Sequence, residues 1–177
     1  MEFLGDKMEN VKDLPVALDD DDNIVVTLSS RKRLVISPEL EYVRIDGRNA
    51  DEYRWVSECV AENGLVVIRI DEGIVLVEIP SDLLTYRGDL HADLAESPKD
   101  ALMCVASFLS GCICNGVEGI RYAKDEVRRI GKWLGLSERD IEDALELLKR
   151  QMDEERKRLY EDEGYTAEEF EEDWRRA

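Results

Sequence analysis

The sequence predicts an α+β fold, with a β-rich N-terminal half containing one helix and a helical half that closes on an acidic C-terminal helix. Three observations carry this expectation. β-branched and aromatic residues gather before residue 80 in short runs separated by turn residues. From Ser97 onward the apolar residues recur every three to four positions. The 177 residues are 44% apolar, enough to bury one compact core or two small ones. The expected division is a β-rich α+β region over 1–90 and a helical region over 91–177, with no internal repeat and no linker long enough to force independence.

After the acidic run Asp19 to Asp22, NIVVTLSS (23–30) and RLVISPELEYVRI (33–45) read as strands, with the basic RKR (31–33) as their turn and Pro38 interrupting the second run. LVVIRIDEGIVLVEI (65–79) reads as a hairpin about Asp71-Glu72-Gly73, the glycine being placed for positive φ. Both of its strands are apolar enough to lie centrally in a sheet. Between these pairs, NADEYRWVSECVAENG offers Asn49 as N-cap, Glu52 three positions later, and Asn63-Gly64 as a stop. That pattern predicts the one N-terminal helix, with Tyr53, Val56 and Val60 facing the sheet. Alternation at Tyr53, Trp55 and Ser57 is the competing strand pattern.

In the second half, Ser97 as cap, Pro98 at the first position and Asp100 in the first turn open a mostly buried helix to about Cys114. CNGVEG breaks it. A second helix is expected from about Val117 to Leu134 and a third from Ser137. YTAEEFEEDW opens the last, with Thr166 as cap and Glu169 completing the capping box.

Forty-two acids against 24 bases give a net charge of −18, of which −10 lies in residues 1–90 and −8 in 91–177. A field of that sign repels nucleic acid and anionic lipid. Charged residues reach 37% while Gln151 is the single glutamine, a composition suited to a heat-adapted or salt-adapted protein. The most apolar run, ALMCVASFLSGCIC (101–114), is shorter than a membrane span, and the N-terminus lacks the layout of a secretory signal. The expectation is a cytoplasmic protein without membrane contact. Cys59, Cys104, Cys112 and Cys114 form no CxxC pair and read as buried small hydrophobes, so no cofactor or zinc is implied.

Ile130, Leu134, Leu136, Ile141, Leu145 and Leu148 form an apolar pattern punctuated by Gly131 and Gly135. Two helices crossing steeply need a small residue at closest approach and a residue tolerating positive φ between them. From Val127 to Lys149 the chain therefore resembles the helix-turn-helix of winged-helix regulators, within a tri-helical segment over about 117–150. The resemblance implies a DNA-reading second helix. Its outer positions here are Glu138, Arg139, Glu142, Asp143 and Glu146, where base-reading helices carry Arg, Lys, Gln, Asn or Ser. No β-wing pattern follows, because 151–177 continues in helical polarity as an acidic tail.

The preceding helix has the longest basic face, Arg121, Lys124, Arg128, Arg129 and Lys132, readable as a solvated face with local ion pairs or as a surface for an acidic partner or nucleic acid. Ile141, Leu145, Leu148, Met152 and Leu159 follow a heptad seam. Beyond Arg150, Met152, Leu159, Tyr160, Phe170 and Trp174 form a thin apolar stripe that either folds back or meets a partner helix or second copy.

Asp89, His91 and Asp93 alternate, so an extended chain projects all three from one face, the weak metal candidate that a metal-dependent hydrolase would need. His91 is the only histidine, and no GxGxxG, GxxxxGK[ST], GxSxG or HExxH occurs. No catalytic residue is therefore assigned. The expected function is a non-catalytic protein-interaction or regulatory protein, joining a protein partner or a homodimer through its C-terminal helix. The alternatives are a nucleic-acid-binding transcriptional regulator using helix 117–134, with SSRKR at 29–33 as a second basic element, and the hydrolase near Asp89, His91 and Asp93.

Overall fold

The computed structural model describes residues 11–57, 63–80 and 90–177. The chain divides between Ser97 and Pro98 into two compact units. The class is α+β, with antiparallel sheets in the first unit and helices in the second.

Among the described residues the first unit holds two five-stranded sheets. One runs β1 (Val11–Leu14), β10 (His91–Ala95), β9 (Gly73–Pro80), β8 (Asn63–Ile70) and β7 (Glu52–Val56). The other runs β2 (Val16–Leu18), β3 (Ile24–Thr27), β4 (Arg33–Ile36), β5 (Val43–Ile45) and β6 (Arg48–Asn49). Every pairing is antiparallel. The sheets share two corners. β1 passes into β2 at Pro15, whose missing N–H and fixed φ suit a break in the ladder, and β6 passes into β7 across Ala50 and Asp51. Taken as continuous bent strands, these corners turn the two sheets into a closed antiparallel meander in which β10 returns to pair with β1. Closure leaves few free strand edges, the feature by which β proteins avoid edge pairing.

Alternation along the strands fills the interior. Cross-strand partners Ile24 and Ile36, Val26 and Leu34, Val66 and Val77, and Ile68 and Val75 all belong to one apolar core. A barrel of this size is just wide enough for side chains to fill it. β8 and β9 are also buried on their other face, at Leu65, Val67, Ile74 and Leu76, so the 65–79 hairpin is as central as its composition requires.

The expected helix from Asn49 is absent, because residues 52–56 form β7 and Asn63-Gly64 opens β8 rather than ending a helix; residues 58–62 lie outside the described ones. The strand wins because Glu52 to Val56 pair in register with Arg69 to Leu65, and a tertiary ladder overrides a local capping signal. Trp55 settles over Gly64, where an added Cβ would lie 1.7 Å from the indole. An aromatic thus covers the backbone that glycine leaves bare. Residues 91–95 also form a strand, so the first unit extends past the expected boundary at 90.

The second unit contains α1 (Pro98–Leu109), a 3₁₀ segment (Ser110–Asn115), α2 (Gly116–Trp133), α3 (Glu138–Tyr160) and α4 (Ala167–Arg176). The apolar faces of α1, α2 and α3 meet around Leu102, Ile130, Ile141 and Leu148, all 3% exposed or less. Gly131 is required at this meeting point, since a Cβ there would approach Ile141 Cγ1 to 2.7 Å. α2 ends in a Schellman motif: Leu136 N–H donates to Gly131, Gly135 N–H donates to Lys132, and Gly135 holds φ +74°. Ser137 then caps α3 by accepting from Asp140 N–H, and Lys99 ties α1 to α3 through Asp140 and Asp143 at 3.0 and 2.7 Å. The Thr166–Glu169 capping box starts α4.

Candidate functional site

β10 carries the described part of the alternating acid–histidine motif. Leu90, Ala92 and Leu94 turn into the core, so His91 and Asp93 share the opposite face; Asp89 lies outside the described residues. Register adds two groups that sequence spacing alone does not connect. Asp13 on β1 stands directly opposite Asp93, and Glu78 on β9 stands directly opposite His91. Burial raises the Asp93 pKa to about 6, assisted by a hydrogen bond with Asp13 and the charges of Asp13 and Glu78, and opposed by His91. Among the described residues no group of three His, Cys, Asp or Glu side chains is disposed to hold a metal ion. The arrangement is a carboxyl pair that can share a proton. Two signals were needed to find it, alternation on β10 and the pairing of strands 80 residues apart.

A cleft of about 410 Å³ opens between the β5–β6 and β8–β9 turns, with Ile45, Ala50 and Ile70 among apolar lining residues and Lys32, Arg48, Arg69, Asp46, Asp51, Asp71 and Glu72 around them. Both signs of charge are present. Lys32 bonds Glu72 at 3.1 Å, and Ser30 Oγ donates to the same carboxylate. That pairing raises the Lys32 pKa and lowers that of Glu72.

The basic face of α2 is largely engaged within the second unit. Lys124 is 8% exposed and donates to the carbonyl oxygens of Trp174 at 3.0 Å and Ala177 at 3.5 Å, with its Nζ 4.6 Å from the Trp174 ring centroid. It thereby caps the C-terminal end of α4, where unpaired carbonyls and the helix dipole favour a cation. Burial lowers its pKa, with Arg128 adding to the effect. Arg121 pairs with Glu118 and reaches the Arg176 carbonyl, Arg128 lies 3.5 Å from Asp125, and Arg129 makes a two-pronged contact with Glu126. Lys132 is exposed.

The apolar stripe of the tail divides. Met152 and Phe170 are buried at 0% and 2% exposure, and Phe170 packs on Trp174 at 6.3 Å between ring centroids. Tyr160 is half-buried against Tyr165, which leaves Leu159, at 44%, as the exposed member. α4 therefore folds back upon α2 and α3, fixed also by Lys149 to Glu171 at 2.8 Å. Of the two outcomes open to the stripe, folding back accounts for Met152 and Phe170 and leaves Leu159 on the surface. The physical reason is that Arg156, 3% exposed, donates to Tyr165 O at 2.8 Å and to Asp153 at 2.9 Å, fastening the turn that brings α4 home.

Of the other residues singled out, Cys112 is buried, Cys104 half-buried and Cys114 exposed, each present as a thiol, while Cys59 lies outside the described residues. The stretch Pro98–Trp133 reaches a mean hydropathy of 1.5 over its most apolar window, but it comprises α1, α2 and the 3₁₀ segment between them, and Leu102, Leu109, Ile120 and Ile130 supply core contacts. Comparison with protein-family models, with curated proteins and with solved structures finds no match.

Proposed function

We propose that this chain is a non-catalytic interaction protein whose helical unit meets a partner bearing a basic surface. The observation carrying this reading is the unequal treatment of charge in that unit. Arg121, Arg128 and Arg129 of α2 pair with acids one turn away and Lys124 caps α4, which leaves Lys132 as the exposed lysine of that face, whereas Glu138, Glu142 and Glu146 stand exposed one turn apart along α3. Phosphate contact requires cations able to release counterions, and an acidic ridge adds repulsion instead. A basic protein surface finds there a complementary field, which raises association rate and selects partners.

The experiment is a paired affinity capture. Immobilised wild-type chain and a Glu138→Lys, Glu142→Lys, Glu146→Lys variant are exposed to the same source-cell extract. The expected result is a salt-sensitive partner held by the wild type and lost from the variant, with the variant's helical circular dichroism unchanged. Retention of the same proteins by both, or of none by either, overturns the reading.

A further inference from the structure

The closing seam of the barrel is the pairing of β1 with β10, four residues against four, and the chain sets Asp13 directly opposite Asp93 within it. Like charges facing each other across a ladder destabilise it. Two facing carboxyl groups repel when both are ionised and can hydrogen-bond when one keeps its proton, so this register ties the ladder to a proton. We propose that Asp13 and Asp93 form a proton-operated seam, closed while the pair shares a proton and loosened when both carboxylates ionise.

The neighbours supply little compensation. The groups facing Asp93 are Asp13 from β1, Glu78 from β9 and His91 two residues along β10 itself. Glu78 adds negative charge, and His91 is the one group in this set able to offset it. Lys12 alternates to the opposite face of β1 and bonds Glu96 at 2.5 Å. Burial of Asp93 makes the doubly ionised state costlier still, and its carboxyl accordingly titrates near 6, while an unpaired aspartate titrates near 3.8. The pair as a unit therefore keeps its last proton up to about 6. β1 is the element to yield, because among the described residues its other ladder side has no partner strand, and Pro15 ends it. This inference is independent of the function assigned to the helical unit.

The test uses the full chain with chelator present, so that no metal neutralises the pair. Carboxyl-carbon NMR should show Asp93 titrating near 6, and amide exchange should show protection at Val11 to Leu14 falling at least tenfold between roughly pH 5 and pH 7.5, after correction for intrinsic exchange. Protection at β3 and β4 should hold over the same range. D93N, which cannot ionise, should keep β1 protected throughout, and D13N should do the same if D93N folds poorly. Titration of both aspartates below about 4.5, or β1 protection that follows β3 and β4 at every pH, would overturn the proposal.

Discussion

Lys124→Met separates a cation that holds the fold from one that awaits a ligand. Methionine keeps the length and packing of the lysine stem, so the substitution removes the ammonium and its contacts with little loss of volume. Two carbonyl oxygens at 3.0 and 3.5 Å and the Trp174 ring at 4.6 Å lose their cation. A charged hydrogen bond contributes about 1.5–3 kcal/mol, and a cation at a helix C-terminus about 0.3–2 kcal/mol. These overlap, and burial of the ammonium, visible in its lowered pKa, opposes them. The net expectation is a loss of about 1.5 kcal/mol, corresponding to a fall in Tm of roughly 6–12 °C for a unit of this size. Far-UV circular dichroism melts provide the number, and amide exchange locates it, since α4 should lose protection while α1 keeps it. An unchanged melt together with undiminished protection of α4 would refute the capping role, because Lys124 would then be free for a ligand.

Three further outcomes follow from the same structure. Leu148→Ala removes a side chain that is fully buried among α1, α2 and α3, and should cost about 3 kcal/mol in denaturant unfolding monitored by helical signal. Gly64→Val places a side chain where the Trp55 ring lies, so indole fluorescence should shift to the red as Trp55 is displaced into water, with β7 destabilised. Asp93 has a folded pKa raised to about 6 from 3.8, so the folded state holds the proton more tightly. Its contribution is favourable at low pH and is lost as pH rises from 3.8 to about 6. Allowing for its partial exposure, wild type should lose about 1–2 kcal/mol relative to D93N between roughly pH 4 and pH 7, read from paired urea titrations.

The helical unit was largely legible in the sequence, because its signals are local. Ser137 and Thr166 cap α3 and α4, Gly135 takes the positive φ of the turn, and Gly131 stands at the closest approach of α2 and α3. The hairpin of β8 and β9 was legible for the same reason, its turn lying between two long apolar runs. Closure of the barrel was not. β1, β2 and β6 are two to four residues long and carry too few alternations to register, and the pairing of Val11–Leu14 with residues 92–95 spans some 80 positions. The same distance concealed the Asp13–Asp93 pair, although Asp93 itself stood out. The segment from Asn49 misled because a good N-cap and a good stop can flank a strand when the decisive partner, β8, lies beyond the stop. Lys124 had the spacing of a surface cation, and its role as a cap depends on a helix 50 residues later.

The most direct test of the central claim is a fluorescence-anisotropy titration of labelled random duplex DNA and of a structured RNA, at about 50 and 200 mM salt, the range over which phosphate contacts change affinity steeply. With Lys124 buried, the arginines of α2 paired with neighbouring acids and the outer ridge of α3 acidic, no binding is expected even at the lower salt. Binding that weakens sharply at the higher salt, and is lost on replacing Arg128 and Arg129, would contradict the account and restore this face to a nucleic-acid partner.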